Sequence, residues 1–273
     1  MTYLISGGSG YIGSALILHL LTSVEQCQVG VISRSQHPFL LNHLQELTIY
    51  QADISQPLHF KPIHDYDIMI HLAAANDIDC NDPQTAVTVN ALGTRHSLEF
   101  CLKYQIPRFL YISTFQVLGP VEGELSEVTP PCPQNDYAMT HLFAEEYVKM
   151  YQQCGLETLI LRPTNIYGCP IRQDIDRWSL VPSCFCDEIV RQGQIYLLSS
   201  GKQKRDFINL WDLIRVITRA TQSFAPFNNS VLHVSSGHSF SILEIAWLVK
   251  AEYEYLYDEI GKVMVASEQP IAT

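Results

Sequence analysis

The first two-thirds of the chain alternate short apolar runs with longer segments of helical pattern. Apolar runs of this length predict buried strands, and the longer segments predict crossover helices. The strands we predict are Tyr3–Ser6, Val29–Ser33, Leu47–Ala52, Ile68–Leu72, Phe109–Ser113 and Leu156–Leu161. The helices we predict between them are Tyr11–Leu21, Pro83–Tyr104 and Tyr137–Cys154. This alternation predicts an α/β fold with a doubly wound parallel sheet of the Rossmann type.

The pattern changes after Pro163. A loop-like stretch leads to predicted helices over Ser183–Gly193, from near Trp211 and from Ser241, with short strands in IYLL and VLHVSS. We therefore predict a large domain followed by a small, shortened C-terminal lobe. The boundaries we predict are residues 1–165 with a return segment at about 206–235 for the large domain, and residues 166–205 with 236–273 for the lobe.

Composition and charge exclude several classes of protein. With 47% hydrophobic and 16% charged residues, the chain is too apolar to be disordered. A formal net charge of −11 argues against nonspecific binding to nucleic acid or to an anionic membrane. No apolar stretch reaches the roughly 18 residues that span a bilayer, and no signal peptide is evident after Met1. We expect a cytoplasmic protein without a nucleic-acid or membrane partner.

The cysteines do not predict a metal site. The sequence has eight, without a C-x-x-C pair, and no histidine near Cys184 and Cys186 completes a zinc-binding pattern. We expect thiols that are buried or partly buried.

A glycine-rich stretch, LISGGSGYIG, follows the first predicted strand and opens the first predicted helix. Glycines in such a turn let the backbone approach a pyrophosphate, and the N–H groups of the helix N-terminus bind the anion. The flanking strand and helix make the pattern more specific than glycines alone. Gly7, Gly8, Gly10 and Gly13 therefore predict a nucleotide-binding site.

The end of the second predicted strand bears on the choice of dinucleotide. Where an acidic residue would bind a ribose 2′-hydroxyl, the sequence has Ser33 and Arg34. An acid would repel a 2′-phosphate, whereas an arginine can bind one. This favours NADP over NAD as the cofactor; the alternative is that Arg34 is a solvated surface residue.

These motifs resemble those of the extended short-chain dehydrogenases/reductases of the NAD-dependent epimerase/dehydratase type. The similar stretches are GGSGYIG, ADI, HLAAAND, VNALGT, YISTFQVLG, LRPTNIYG and KRDFINLWDL. The resemblance implies an NAD(P) cofactor bound by the Rossmann domain and a nucleotide-sugar substrate bound by the small lobe. The cofactor contacts it implies are Gly7, Gly10, Tyr11, Ile12, Gly13, Ser33, Arg34, Asp53, Ile54, Leu72, Ala73, Ala74, Asn90, Ser113, Tyr137, His141 and Pro163, and the substrate contacts are Asn165 and Arg205.

The resemblance also implies catalytic roles. Members of that family use a tyrosine that exchanges a proton with a sugar hydroxyl or carbonyl, beside a serine or threonine that hydrogen-bonds the same oxygen. Tyr137 is then the acid–base residue, Thr114 is its partner, and Ser113 lines the nicotinamide side. A phenol of pKa ~10 needs about 4 kcal/mol of phenolate stabilisation to work near neutrality. The family obtains it from a lysine four residues later, and this chain has His141 there.

His141 leaves two interpretations open. An unperturbed imidazole of pKa ~6.5 is only about a quarter protonated at pH 7, and it is shorter than a lysine side chain. His141 either fills the space of the lysine or still assists as a hydrogen-bond partner or partial cation. We expect an NAD(P)-dependent epimerase or reductase of reduced activity. The alternative is a catalytically weak or silent NAD(P)-binding scaffold or regulatory protein.

A further departure from the family pattern narrows the reaction. Dehydratases of that family carry an Asp-Glu pair after the threonine, where this chain has Phe115 and Gln116. Neither side chain can act as an acid or base, so epimerisation or carbonyl reduction is favoured over dehydration. His71, at the end of a predicted strand, is expected to be hydrogen-bonded structure and not a catalyst.

The resemblance also implies a possible homodimer. In that family the helices predicted here at Pro83–Tyr104 and Tyr137–Cys154 form a four-helix interface. Apolar contacts could come from Leu98, Leu102, Phe143 and Met150, although burial within the monomer would explain them as well.

Overall fold

The computed structural model describes residues 1–35, 37–43, 46–120 and 123–266. Within these residues the strands are β1 (Thr2–Ser6), β2 (Gln28–Ser33), β3 (Leu47–Gln51), β4 (Ile68–His71), β5 (Arg108–Ile112), β6 (Glu157–Pro163), β7 (Asn165–Tyr167), β8 (Gln194–Leu197), β9 (Lys204–Asn209), β10 (Ser230–Val234), β11 (Ser239–Ser241) and β12 (Lys262–Val265). The α-helices are α1 (Tyr11–Ser23), α2 (Pro38–Leu41), α3 (Pro83–Ala86), α4 (Gly93–Lys103), α5 (Asp136–Gln152), α6 (Val181–Gln192), α7 (Leu210–Gln222) and α8 (Ile242–Tyr257). A π-helical segment, Val87–Leu92, joins α3 to α4.

The central sheet has the predicted Rossmann architecture. Among the described residues, seven strands form it in the order β10-β6-β5-β4-β1-β2-β3, and every neighbouring pair is parallel. The strand order reverses between β1 and β4, and ligands of such sheets bind outside the carboxyl ends of the strands at this reversal. Ser6, His71 and Tyr111 are register partners across β1, β4 and β5 at that edge. The fold class predicted from the sequence is therefore confirmed.

Helices α4 and α5 are held against this sheet by a buried apolar cluster. Leu98 of α4 and Val148 of α5 belong to the same cluster as Leu4, Met69 and Phe109 of the strands. Burial of side chains of this size contributes roughly 1.5–3 kcal/mol each. The side chains that α5 turns toward the sheet are therefore fixed over β5 and β6.

The start of α5 is set by a side-chain cap. The Asn135 side-chain oxygen accepts a 2.8 Å hydrogen bond from the Ala138 N–H. This satisfies one of the N–H groups that the first turn of a helix leaves without an intrahelical partner. Tyr137 is thereby placed in the first turn of α5.

The chain forms two compact units. The first consists of Met1–Thr164 and Trp211–Val234, and it contains the seven-stranded sheet. The second consists of Asn165–Leu210 and the described residues from Ser235 onward. The assignment of a cofactor role to the first unit and a substrate role to the second stays a prediction.

The second unit has its own small core. Strand β9 pairs with β7 in parallel and with β11 in antiparallel orientation, and β12 pairs with β8 in parallel. Helices α6 and α8 contribute Ile189 and Ala246 to a buried cluster with Ile195 and Phe207 of the strands. Ser241 and Glu244 form a capping box that starts α8.

Within the described residues, the cysteines do not form a metal site and the helices do not include a membrane span. All eight cysteines are free, and burial raises the pKa of the Cys101 thiol. The expectation of buried or partly buried thiols was wrong for four of them, since Cys132, Cys154, Cys169 and Cys186 are exposed. In the described ranges, no three His, Cys, Asp or Glu side chains are grouped so that they could hold a metal ion. No described helix is both long enough and apolar enough to cross a membrane.

Candidate active site

The glycine-rich turn after β1 presents backbone without side chains at the point where the strand order of the sheet reverses. Gly7 has a φ of +74°, which favours glycine, and its carbonyl accepts a 3.0 Å hydrogen bond from the Gly10 N–H. A Cβ on Gly7 would lie 2.7 Å from the Ala73 nitrogen, and a Cβ on Gly13 would lie 2.1 Å from the Gly7 oxygen. Helix α1 begins after Gly10 without a capping side chain or an acidic residue in its first turn. Its N-terminus therefore presents a positive dipole end that suits an anion.

The predicted cofactor residues differ in exposure. Tyr11, Gly13, Ser33, Ile54, Asn90, Ser113, His141 and Pro163 are buried, Gly7, Ile12, Leu72, Ala73 and Tyr137 are half-buried, and Gly10, Arg34, Asp53 and Ala74 are exposed. The exposed members keep accessible side chains or backbone at the carboxyl edge of the sheet.

Side chains in the turns after β2 and β3 form hydrogen bonds within those turns. The Ser33 hydroxyl donates a 2.7 Å hydrogen bond to the Ser35 carbonyl, and Arg34 extends from the same turn with an exposed side chain. An Asp53 carboxylate oxygen accepts a 2.9 Å hydrogen bond from the Ser55 N–H. Arg34 is thus an accessible cation at the end of β2.

Asn90 fixes the segment that follows β4. It lies in the π-helical turn, a type of local widening that is frequent at functional sites. Its side-chain oxygen accepts a 2.7 Å hydrogen bond from the Ala75 N–H, and its amide nitrogen lies 3.1 Å from the Thr140 hydroxyl of α5. Asn90 therefore ties the chain after Ala73 and Ala74 to the helix that carries Tyr137.

Ser113 and Thr114, at the end of β5, have different hydrogen-bond partners. Ser113 donates its hydroxyl proton to Glu145 of α5 at 2.6 Å. The Thr114 oxygen instead accepts a 3.2 Å hydrogen bond from the Gln116 N–H, which starts a short 3₁₀ turn. That bond uses a lone pair of Thr114 and not its proton. Thr114 is therefore left with a proton to donate, whereas Ser113 is left with lone pairs to accept.

Glu145 is the centre of a buried ion pair. Arg162 of β6 binds it in two places, Nε to Oε1 at 2.8 Å and Nη2 to Oε2 at 2.6 Å, and both side chains are buried. Lys149, further along α5, binds Glu146 at 2.7 Å. Arg162 and Lys149 thus each have a carboxylate partner.

Tyr137 and His141 lie in contact on α5. Their ring centroids are 4.6 Å apart at an angle of 66°, and Tyr137 packs against a small buried cluster that contains Ala75 and Cys80. Gly7 approaches Ala73 two residues earlier, so Tyr137 and the glycine turn meet the same segment of chain. The structure therefore brings the predicted acid–base residue and the predicted cofactor turn to one edge of the sheet.

His141 is buried and neutral. Its Nδ1 lies 2.6 Å from the Tyr111 hydroxyl of β5, with the two rings stacked at 5.9 Å. Its Nε2 is buried and has no hydrogen-bond partner in the described part of the chain. Burial lowers the pKa of His141 to about 4, because a charged imidazole would lose its hydration there. His141 therefore does not supply the cationic charge of a lysine.

His71 is hydrogen-bonded through both nitrogens, as predicted. Its Nδ1 lies 2.7 Å from the Ser6 hydroxyl and its Nε2 lies 3.2 Å from the Thr94 hydroxyl. Burial, with a smaller effect from His141 when that ring is protonated, lowers the pKa of His71 to about 3. This histidine is a neutral, fully bonded structural residue.

The second unit holds the two predicted substrate residues on neighbouring strands. The Asn165 side-chain amide donates a 2.8 Å hydrogen bond to the Asp206 carbonyl, which joins β7 to β9. Asp206 also accepts hydrogen bonds from the Ser236 and His238 N–H groups. Arg205, next to it on β9, is exposed. Asn165 is therefore engaged in the structure of the unit, and Arg205 presents its charge to solvent.

Comparison with known proteins assigns the chain to a family. Residues 3–233 match the model of the "NAD dependent epimerase/dehydratase family". The chain belongs to this family. The resemblance of the sequence motifs to this family is thereby confirmed.

Individual epimerases are similar over most of the chain. A putative UDP-glucose 4-epimerase of Methanocaldococcus jannaschii is 27% identical over 271 residues, covering 94% of this chain and 85% of that protein. The UDP-glucose 4-epimerase of Halalkalibacterium halodurans is 28% identical over 267 residues, covering 90% of this chain and 78% of that protein. The solved UDP-glucuronic acid 4-epimerase of Bacillus cereus, in complex with UDP-glucuronic acid and NAD, superposes with a TM-score of 0.79 at 25% identity, covering 97% of this chain and 86% of that one.

The residues of this epimerase/dehydratase family member fit a nicotinamide dinucleotide. Side chains at Gly7 or Gly13 would collide with neighbouring backbone of the protein, so glycine permits the tight turn that in such folds lets the backbone approach a pyrophosphate. The unpartnered Nε2 of His141 offers one buried polar atom beside Tyr137. Both observations concern the first unit, which has the Rossmann sheet.

Sequence reasoning missed two residues of the site. Tyr111 lies two residues before Ser113, so the period of a strand places both on the same face. Glu145 lies four residues after His141, so the period of a helix places both on the same side of α5. These spacings are present in the sequence, but they do not reveal which strand residues face which helix residues until the register is known.

Proposed function

We propose that this chain is an NAD(P)-dependent epimerase or reductase that acts on a nucleotide sugar, with Tyr137 as its acid–base residue. The observation that carries the proposal is the contact of Tyr137 with His141 beside the segment that the glycine turn approaches. A proton-transfer residue has to lie at the edge where a sheet of this type binds its ligand, and the contacts of Tyr137 near that edge support this role. When bound, the dinucleotide supplies hydride transfer to or from the sugar.

In this proposal, Thr114 is a hydrogen-bond donor and Ser113 is a hydrogen-bond acceptor. Thr114 keeps its hydroxyl proton and donates it to the sugar oxygen whose proton Tyr137 exchanges. Ser113, whose proton goes to Glu145, accepts from the nicotinamide side. The Glu145–Arg162 ion pair fixes the Ser113 hydroxyl through charge-assisted hydrogen bonds.

Epimerisation or carbonyl reduction suits the site better than dehydration. Expulsion of water needs an additional acid–base pair near the threonine, and the next two residues are Phe115 and Gln116. Phe115 packs its ring edge against His233, with centroids 4.9 Å apart. This position therefore serves packing and not proton transfer in the proposed reaction.

We also propose NADP as the preferred dinucleotide and Arg205 as a contact for the substrate diphosphate. Arg34 has an exposed guanidinium at the end of β2, which suits a 2′-phosphate. Arg205 has an exposed guanidinium on β9, beside Lys204, which suits a diphosphate. Asn165 supports this strand from β7.

A second candidate function rests on His141. Because burial keeps this imidazole neutral, it provides none of the positive charge that a lysine would place beside the tyrosine. A protein with this site can bind the dinucleotide and turn over slowly or not at all. The rival proposal is therefore an NAD(P)-binding scaffold or regulatory protein of the same fold.

The test is to titrate the protein with NAD and NADP and then supply UDP-, dTDP- and GDP-sugars. Absorbance of reduced nicotinamide follows reduction, and chromatography of the sugar nucleotides follows epimerisation. If the proposal holds, Tyr137→Phe lowers turnover by about 10²–10⁴-fold, the usual contribution of an acid–base group. NADP should bind more tightly than NAD.

The matched control is Tyr66→Phe, which removes a buried phenol hydroxyl bonded to Tyr50 and away from the site. It should leave turnover unchanged. Binding of a dinucleotide without any turnover in the wild type, together with turnover in His141→Lys, would instead support the scaffold.

A further inference from the structure

Helix α8 of the second unit has one side buried in the core and another side that is apolar but exposed. It packs Ile245, Ala246 and Tyr253 into the buried cluster of the unit. On the outer side, Leu248 and Tyr255 are 56% and 83% exposed. A spacing of seven residues places these two side chains along one line of the helix. A helix that the core already holds in place therefore presents large apolar side chains to water.

The outer side of α8 has the residue spacing by which helices pack against each other. Leu248, Ala251 and Tyr255 follow one another at intervals of three and four residues, and all three are exposed. Because the alanine is small, a depression lies between the two larger side chains. When two helices pack, side chains of one helix fill such depressions on the other. The shape of this surface therefore suits a helix.

Negative charge borders this apolar line. Glu244 and Glu252 lie four residues before and four residues after Leu248, so both are on the same side of α8, and both are exposed. The one lysine of the helix, Lys250, binds Glu254 at 2.6 Å, and this ion pair leaves the charge of the border unchanged. An acidic border attracts Lys and Arg side chains and repels carboxylates and anionic lipid headgroups.

The charges favour one occupant over two others. A second copy of α8, packed antiparallel around Ala251, would bring Glu244 close to Asp258 of the partner subunit, because the two residues are equally far from the alanine. An anionic membrane would meet the same carboxylates. We propose that the outer side of α8 binds an amphipathic helix of another protein, one that is apolar along one side and has Lys or Arg beside its apolar side chains.

The first test uses two synthetic helical peptides as probes. Both have leucines along one side, and the flanking positions are lysine in one peptide and glutamate in the other. The full chain is titrated with each peptide by calorimetry. The lysine peptide should bind with a Kd at least about tenfold lower, and its advantage should shrink as the salt concentration rises. Equal Kd values for the two peptides would overturn the proposal.

Two variants locate the binding site. Leu248→Glu should raise the Kd for the lysine peptide at least about tenfold, because it places a carboxylate within the apolar contact. Glu252→Lys keeps that contact and should reduce the preference for the lysine peptide by about threefold or more. The matched control is Leu198→Glu, at a residue 87% exposed and outside α8, which should leave both Kd values unchanged.

Thermal unfolding of each variant shows whether it is folded. Both positions on α8 are exposed, so wild-type stability is expected. If Leu248→Glu does not fold, Glu252→Lys still decides the question through its effect on peptide preference. Unchanged binding in the folded variants of α8 would overturn the proposal.

The other two occupants are tested directly. Light scattering should give the same mass for the wild type and Leu248→Glu; a lower mass for the variant would assign this side of α8 to a second copy. Vesicles of phosphatidylcholine and phosphatidylglycerol should leave the tryptophan emission unchanged, since Trp247 lies beside Leu248. A blue shift that Leu248→Glu abolishes would assign the surface to lipid. Neither measurement involves a dinucleotide or a sugar, so the proposed function stands or fails separately.

Discussion

At the scale of single residues, the buried histidines make the stability of the protein depend on pH. The pKa of His71 is lowered to about 3 and that of His141 to about 4, in each case chiefly by burial. In the unfolded chain both have a pKa of about 6.5. Below that pH the unfolded state binds protons that the folded state does not, so the free energy of unfolding falls as the pH falls. Above about pH 6.5 both states are neutral at these residues, and their effect disappears.

We therefore predict a loss of stability on acidification that His141→Leu reduces. Each histidine lowers the free energy of unfolding by about 1.4 kcal/mol per pH unit between about pH 6.5 and its folded pKa. From about pH 6.5 to 5 the pair should lower the free energy of unfolding by about 3 kcal/mol, and His141→Leu should remove about half of that change. Urea denaturation at several pH values measures the slope. His59→Gln, at an exposed histidine, is the control and should keep the wild-type slope; an unchanged slope in His141→Leu would contradict the prediction.

Some residue roles were predictable from the sequence and others required the fold. Tyr137 and His141 were found because a four-residue spacing on a helix puts them on one face. The sequence could not show that Arg162 forms an ion pair with Glu145, because the two residues lie on different elements, β6 and α5, whose packing the sequence pattern does not specify. The neutrality of His141 also depends on burial among residues from β5 and α5, which no local pattern in the sequence specifies.

At the scale of secondary-structure elements, the turn between β1 and α1 makes a specific demand on Gly7. It combines a positive φ with a close approach to the chain after β4. These are two separate reasons for a glycine, since strain from φ occurs in any left-handed turn but crowding occurs only where another backbone lies close. Gly155 has the first feature without the second: its φ is +90°, and a Cβ there would meet nothing within 4 Å.

We predict that Gly7→Ala abolishes measurable dinucleotide binding, whereas Gly155→Ala does not. Both variants should lose about 1–3 kcal/mol of stability from the strained φ. Gly7→Ala should lose more, because its Cβ would fall 2.7 Å from the Ala73 nitrogen and force the turn and the Ala73 segment apart. Thermal unfolding and dinucleotide titration of both variants test this. Wild-type affinity in Gly7→Ala would show that the turn does not form the binding site.

The elements themselves were predicted where burial leaves a clear pattern. Strands β1 to β6 and helices α1 and α5 correspond to the predicted segments with ends that differ by one or two residues, because apolar runs mark strands that are covered on both faces. The predictions omitted β7, β9, β11 and β12. Strand β9 begins with exposed Lys204 and Arg205, and β12 is largely exposed, so neither has a continuous apolar run. The π-helical segment was hidden within one predicted helix, since periodicity does not distinguish it from α-helix.

At the scale of the whole molecule, the exposed apolar side chains of α4 and α5 bear on whether the chain forms a homodimer. Leu98 is fully buried within the first unit, so burial in the monomer explains it. Leu102, Phe143 and Met150 are different, with exposures of 37%, 48% and 48%. Phe143 and Met150 lie seven residues apart on α5 and therefore on one side of it. The cost of leaving such side chains in water favours a protein partner over this face.

We predict that the partner is a second copy of the chain and that Phe143→Glu separates the two. Light scattering of the wild type should give twice the monomer mass of 30.9 kDa, and Phe143→Glu should give the monomer mass because a buried unpaired carboxylate opposes association. Ile63→Glu, at a residue 71% exposed elsewhere in the first unit, introduces the same charge and should remain dimeric. A wild type at 30.9 kDa across the accessible concentration range would contradict the prediction. Tyr137 and Phe143 both lie on α5. If Phe143→Glu is monomeric, its dinucleotide affinity compared with that of the wild type would show whether dimerisation also stabilises the helix that carries the proposed acid–base residue.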